Sequence, residues 1–150
     1  MVRVLTILMI SLNVSSCATS YSRLGFKGGF TEVKLDDNVY KVSYNGNGFT
    51  SSNQVTDMLL MRCADITLLN KQKYFTVINA DTEVNESIHL TNPSSLFPGG
   101  LHTVRKVSKT AIIETFTEKP RDKESFNAKV LCDSIGSLYS ESCDALTTDR

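Results

Sequence analysis

The chain has no excess of charge: 16 Lys and Arg stand against 16 Asp and Glu, and nowhere do the cations form a block. A near-neutral surface argues against a nucleic-acid partner, because clustered cations carry affinity for a phosphate backbone. It argues equally against adhesion to anionic lipid by charge alone. The apolar stretch Val4–Val14 is too short to cross a bilayer, which takes ~20 residues of helix. Histidine is scarce, and His89 and His102 lie in turn-prone or edge regions without ligand spacing, so no metal site is expected. Nor is there a Ser/His/Asp, Cys/His or paired-carboxylate arrangement to argue from. Cys63 has no histidine near it in a motif, and the serines fall in turns. No catalytic residue and no cofactor are expected.

What is present begins with a targeting segment over residues 1–16: Arg3, then a largely apolar core, then small residues. Val14-Ser15-Ser16-Cys17 resembles the bacterial lipobox, an aliphatic residue and two small ones before the cysteine that is acylated. The chemistry requires a thiol there, since diacylglycerol is attached through a thioether before cleavage. Lipidation at Cys17 is therefore expected, with membrane attachment through acyl chains rather than charge. Ala18 in place of Asp after the cysteine fits the outer-membrane class of enteric-type sorting, facing the periplasm. Cleavage ahead of Cys17 removes Arg3 and no acidic residue, leaving 15 basic against 16 acidic side chains. The rest is of ordinary single-domain size.

The stretch Val39–Val77 organises that domain. Val39–Tyr44 has the β-branched and aromatic content of a strand. Asn45-Gly46-Asn47-Gly48 ends it, and Gly46 and Gly48 are expected in backbone conformations that a Cβ disfavours. Ser51 or Ser52 can cap a helix. Val55, Met58, Leu59, Cys63, Ile66 and Leu69 then follow helical spacing, ending near Asn70 in a left-handed residue. Tyr74–Ile78 is a second strand. Short connections on both sides predict two parallel strands with a right-handed crossover, a βαβ unit.

Around this unit, residues 17–29 read as a lipidated tether and Phe30–Leu35 as a strand joined to the next by a turn at Asp36–Asn38. Residues 79–100 are turn-rich, with Pro93, Pro98, Gly99 and Gly100 breaking regular structure and Glu83–Leu90 as an edge strand. Leu101–Val107 and Thr110–Thr117 predict a hairpin turning at Ser108–Lys109. Ser125–Ile135 predicts a second amphipathic helix, with Ser125 as cap and Gly136 as terminator. The expected fold is α+β: one domain over residues 30–139, with a mixed, mostly antiparallel sheet of four to six strands and two helices on one face. Residues 140–150 form a tail that frays unless Cys143 fastens it.

Four motifs agree in order and spacing: GGFTE at Gly28–Glu32, NGNGFTS at Asn45–Ser51, LLMRCADITL at Leu59–Leu68 and KYF at Lys73–Phe75. Together they resemble an uncharacterised family of small proteobacterial lipoproteins. That family has a Gly-Asn-Gly-aromatic-Thr turn followed by an Arg-Ala-Ala-Glu-like helix. A weaker match continues over Lys119–Tyr139. Cys63 stands where the family usually has Ala, and Asp65 where it has Glu. The resemblance implies a lipid anchor and an α+β fold, and it carries no activity.

Once Cys17 is lipidated, Cys63, Cys132 and Cys143 remain, an odd number for an oxidising compartment. Cys63 sits on the apolar face of the central helix as a small buried hydrophobe. A Cys132–Cys143 bridge would close a short loop, against two free thiols or pairing with Cys63. Gly46-Asn47-Gly48 ahead of a helix resembles an anion-binding turn, but it lacks the Lys and the longer glycine pattern of a phosphate loop. Arg62 can pair with Asp65 three residues on, or reach Glu32 on the first strand. Two readings stay open: a non-catalytic envelope lipoprotein that binds another envelope protein or serves structurally, and a small hydrolase or anion binder using Gly46, Asn47, Gly48 and Arg62.

Overall fold

The structure, a computed structural model, describes residues 20–91 and 100–144. The targeting segment, Cys17, the Pro93–Gly99 turn and the last six residues lie outside the described residues. The elements run β1 (Gly29–Asp36), β2 (Val39–Asn45), α1 (Ser52–Leu69), β3 (Tyr74–Thr91), β4 (Gly100–Phe116), β5 (Phe126–Asn127) and α2 (Ala128–Tyr139). The strands form one sheet in the order β1-β2-β4-β3-β5, every neighbouring pair antiparallel. This is an α+β fold with five strands and two helices.

The expected βαβ unit is corrected by the position of β4. Since β2 and β3 are each antiparallel to β4, they do run the same way. They do not pair, because β4 lies between them: Tyr40 faces Ile113 and Ile113 faces Val77. Nor does the chain turn at Ser108–Lys109. Those residues sit mid-strand, where Ser108 Oγ donates to Asn45 Oδ1 at 2.7 Å and Lys109 Nζ to Thr56 Oγ1 at 2.6 Å. Neither residue favours the positive φ that tight hairpin turns demand, so alternation carries the strand straight through. The edge strand expected at Glu83–Leu90 is the outer half of β3. Beyond Glu83, which pairs with Ser108, the two strands continue alone out to Thr91 and Gly100. At ~3.3 Å per residue they make a two-stranded arm about 26 Å long.

One face of the sheet is dry. Tyr40, Val42 and Tyr44 of β2, Val107, Ala111, Ile113 and Thr115 of β4, and Phe75 of β3 are all buried. Against them lies α1, whose Val55, Met58 and Leu59 are buried in turn. From Met61 to Thr67 every residue is buried, because α2 and the C-terminal segment cover the side that the sheet does not. Ser51 caps α1, its Oγ accepting from Gln54 N at 3.2 Å. At the other end Asn70 is not left-handed (φ −88°); Lys71 is (φ 58°). Lys71 N donates to Leu68 O at 2.8 Å and Gln72 N to Thr67 O at 2.9 Å, the paired bonds of a Schellman cap.

The second helix starts later than its periodicity implies. Asn127, not Ser125, is its cap, accepting from Val130 N at 3.1 Å. Phe126 belongs to β5 and stacks on Phe75 with centroids 5.3 Å apart. Gly136 does not end the helix. It lies buried within α2 where the chain folds back, and a Cβ there would meet Glu141 O at 2.6 Å. The stop falls at Ser140, left-handed at φ 56°. The tether is also shorter than residues 17–29, since Ser20 and Ser22 are already bonded to the domain. Tyr44 Oη donates to Ser20 O at 3.0 Å and Phe30 N to Ser22 O at 2.9 Å.

Candidate functional site

Arg62 is the polar centre of the fold. Its side chain is 4 % exposed, on the third turn of α1, and four separate segments converge on it. Nη1 donates to Asp65 Oδ2 at 2.7 Å and to Asp144 Oδ2 at 3.0 Å, while Nη2 donates to Glu32 Oε1 at 3.0 Å. Both sequence alternatives for Arg62 are thus realised together, with Asp65 one turn ahead and Glu32 on β1. The guanidinium lies over the Phe30 ring, 3.9 Å from its centroid, so the ring's negative face supplies further attraction. Tyr21 Oη donates to Asp65 Oδ2 at 2.8 Å, and Arg23 adds a second cation 3.2 Å from Glu32.

Burial opposes the Arg62 charge, but its bonds with Tyr21 and Glu32 outweigh that and leave the pKa above its ordinary value. Burial and the Asp65 carboxylate push the Tyr21 hydroxyl far up, so it acts only as a neutral donor. The same happens at Tyr44, raised to about 12 by burial and by Glu141. Arg62 Nε and Glu32 Oε2 are buried and make no hydrogen bond among the described residues.

The glycine turn holds itself together. Asn47 Oδ1 accepts from Phe49 N and from Thr50 Oγ1, both at 2.9 Å. Gly46 N extends the ladder to Val107 O at 2.9 Å. Neither Gly46 nor Gly48 has a positive φ, contrary to expectation. Crowding is the reason for glycine here: a Cβ on Gly46 would meet Val55 Cγ2 at 2.8 Å and Val107 O at 3.2 Å, and one on Gly48 would meet Val104 Cγ1 at 2.6 Å. A groove of about 290 Å³ opens beside the turn, lined by Leu24, Phe26, Asn45, Gly46, Lys106 and Ser108 among others. Arg62 does not face it. Ten residues of α1 separate Arg62 from the helix start, about 15 Å at ~1.5 Å per residue.

Cys132 and Cys143 are joined in a disulfide across 11 residues, and Cys63 is a free, buried thiol. Burial raises the Cys63 pKa to about 12, which leaves it without thiolate character. His89 and His102 are direct partners across the arm, though far apart in sequence. Among the described residues no group of three metal-ligating side chains forms, and no helix is long and apolar enough to cross a membrane. Sequence reasoning missed Tyr21, Phe30 and Asp144 as partners of Arg62. No local signal marks them, since two come from segments placed only by tertiary contacts. No protein-family model matches the chain, and neither does a curated protein or a solved structure.

Proposed function

We propose that this chain is a lipid-anchored envelope protein held by acyl chains on Cys17, of the lipoprotein family it resembles, at the periplasmic side of the outer membrane. Its folded domain is a non-catalytic binding or structural module that meets another envelope protein. The observation that carries the non-catalytic part is the employment of Arg62. Its guanidinium donates to Asp65, Glu32 and Asp144 of its own chain, with Phe30 against its face. A hydrolase or anion binder would need Arg62 and the glycine turn together, yet they stand about 15 Å apart along α1. Asn47, the other polar member of that pair, spends its side-chain oxygen on the turn itself.

The anchor and the partner are tested separately. Globomycin treatment is expected to accumulate a precursor, and Cys17→Ala to release the protein from membranes. A Cys17→Ala chain that is still processed and still membrane-bound would refute the anchor. Capture of the native lipoprotein from detergent-solubilised membranes, followed by mass spectrometry, is expected to bring down an envelope protein in stoichiometric amount. Turnover of an ester or phosphate substrate that falls with Arg62→Lys in a still-folded protein would refute the non-catalytic reading.

A further inference from the structure

Gly25 N donates to Gly28 O at 3.0 Å and Gly28 N to Gly25 O at 3.1 Å, which closes a two-residue hairpin with Phe26 and Lys27 at its tip. Phe26 is wholly in water, at 105 % of its reference area, and Leu24 beside it is half exposed. The tip is braced: Leu24 N donates to Phe30 O at 2.8 Å, and Phe30 N to Ser22 O at 2.9 Å. Gly29 sits at φ +126°, where a Cβ would fall 2.4 Å from Ser22 O. A firmly held turn that keeps an aromatic ring in water does nothing for the core, because a ring stabilises through burial. Phe49 is exposed on the neighbouring glycine turn, at the same end of the sheet, since Gly29 pairs with Asn45.

That end is also where the chain arrives from its N-terminus, because Tyr44 Oη holds Ser20 O there. Cys17 precedes Ser20 by three residues, which span at most about 11 Å when extended. We propose that the Phe26 hairpin is a membrane-docking tip. Phe26 and Leu24 enter the headgroup–acyl boundary of the bilayer that holds the anchor. The proposal rests on acylation at Cys17. Amphipathic surface elements with aromatic and leucine side chains settle about 5–10 Å into that boundary. One ring and one leucine bury too little area to hold a near-neutral domain alone. Anchored beside them, acyl chains make the contact effectively intramolecular. Docking therefore orients the domain rather than recruiting it.

The chain contains no tryptophan, so Phe26→Trp installs a single emitter. The purified lipidated variant is placed in phosphatidylethanolamine–phosphatidylglycerol vesicles, with and without bromine on the acyl chains. Its emission is expected to shift to the blue and to be quenched by brominated lipid. Val130→Trp puts the emitter in the first turn of α2, by the Tyr74 end of the sheet, and is expected to emit as in water. Phe26→Trp combined with Cys17→Ala is also expected to stay water-like in the same vesicles. Mass spectrometry of the lipidated preparation separates the two levels. An unacylated Cys17 refutes the anchor and the docking together. An acylated chain whose Phe26→Trp emission is unshifted and unquenched refutes the docking alone, and leaves the tip to a protein partner.

Discussion

Arg62 Nη1 donates to Asp144 Oδ2 at 3.0 Å across 82 residues of sequence, and Asp144 stands one residue after a cysteine bridged to α2. The disulfide and the ion cluster therefore act on one another. Cys143 Sγ lies 3.7 Å from Met61 O, beside Arg62 on α1, so the bridge sets the C-terminal segment down on the helix. Tyr139 Oη adds a bond of 2.5 Å to Asp57 four residues earlier on the same helix. The buried cation is thus shared among the N-terminal segment, β1, α1 and the C-terminus.

The partners of Arg62 should differ sharply in what they contribute. Asp65 is fully buried, so Arg62→Met takes the paired cation away from a carboxylate that water cannot reach. Breaking a buried pair from one side costs about 3–5 kcal/mol. Asp144 is 60 % exposed, and Asp144→Asn should cost at most about 1 kcal/mol. Urea unfolding of the chain from Ala18 onward measures both. Equal costs would mean that Arg62 is held mainly by packing on Phe30.

Loss of the disulfide should reach further than loss of Asp144. Closing a loop of this size stabilises by about 2–3 kcal/mol through the unfolded chain, and Cys132→Ala with Cys143→Ala forfeits that. Thiol labelling gives the complementary readout. Cys63, Cys132 and Cys143 are all buried, so none should alkylate quickly in the folded protein. In urea without reductant only Cys63 should react, and with reductant all three; labelling of Cys132 or Cys143 in urea without reductant would contradict the bridge.

How much of this was legible follows from where each signal resides. Ser51, the periodic apolar face and the approach to Asn70 are local, and α1 matches its expected span. The pairing order is not local. Nothing in Val39–Val77 reveals that β4 enters between β2 and β3, because that depends on the register of Tyr40 with Ile113 and of Ile113 with Val77. A polar pair in an apolar context predicts a turn at Ser108–Lys109, but β4 there meets polar partners at Asn45 and Thr56. At the cluster, Asp65 was legible as an i+3 neighbour and Glu32 as a strand carboxylate. Tyr21 and Asp144 reach Arg62 only because the flanking segments fold back.

The glycine turn should respond to volume rather than to backbone conformation. Gly46→Ala drives a methyl group against Val55, Thr50 and Val107, two of them rigid parts of the core. Overpacking of this kind costs about 1–3 kcal/mol. Gly48→Ala meets only the side chain of half-buried Val104, outside the core, and should cost less. Asn47→Ala removes two accepted bonds and should cost about 1 kcal/mol. If Gly48→Ala proved the costlier glycine change, the crowding account of the turn would fail.

Stability should fall on the alkaline side. Cys63, Tyr44 and Tyr139 are each raised to about 12, Cys63 and Tyr44 chiefly by burial and Tyr139 chiefly by its bond to Asp57. Their ordinary values are 9.0 for the thiol and 10.0 for the tyrosines. The unfolded chain therefore loses these protons first, and each rise in pH favours unfolding until the folded group also ionises near 12. Each fully buried group contributes a slope of about 1.4 kcal/mol per pH unit inside its window. Denaturant midpoints should be insensitive to these groups below pH 8 and decline from pH 9 upward. Tyr44→Phe should flatten the decline above pH 10.

The Schellman cap makes the most specific claim about a single backbone position. Lys71 holds φ 58° with its Cβ in place, while its amide and that of Gln72 close the last turn of α1. A left-handed residue with a Cβ costs about 1–2 kcal/mol, and glycine removes that cost. Glycine also gives the unfolded chain more freedom, which takes back about 0.4–1 kcal/mol. Lys71→Gly should therefore stabilise the domain by about 0.5–1 kcal/mol and raise its melting temperature by a few degrees. Asn70→Gly, one residue earlier at φ −88°, has no such strain to relieve. It also loses the bond from Asn70 Nδ2 to Ile66 O at 2.8 Å, so it should destabilise. The opposite signs of the two changes are the test, read side by side in thermal melts of the same chain. A stabilising Asn70→Gly with a neutral Lys71→Gly would place the cap one residue upstream.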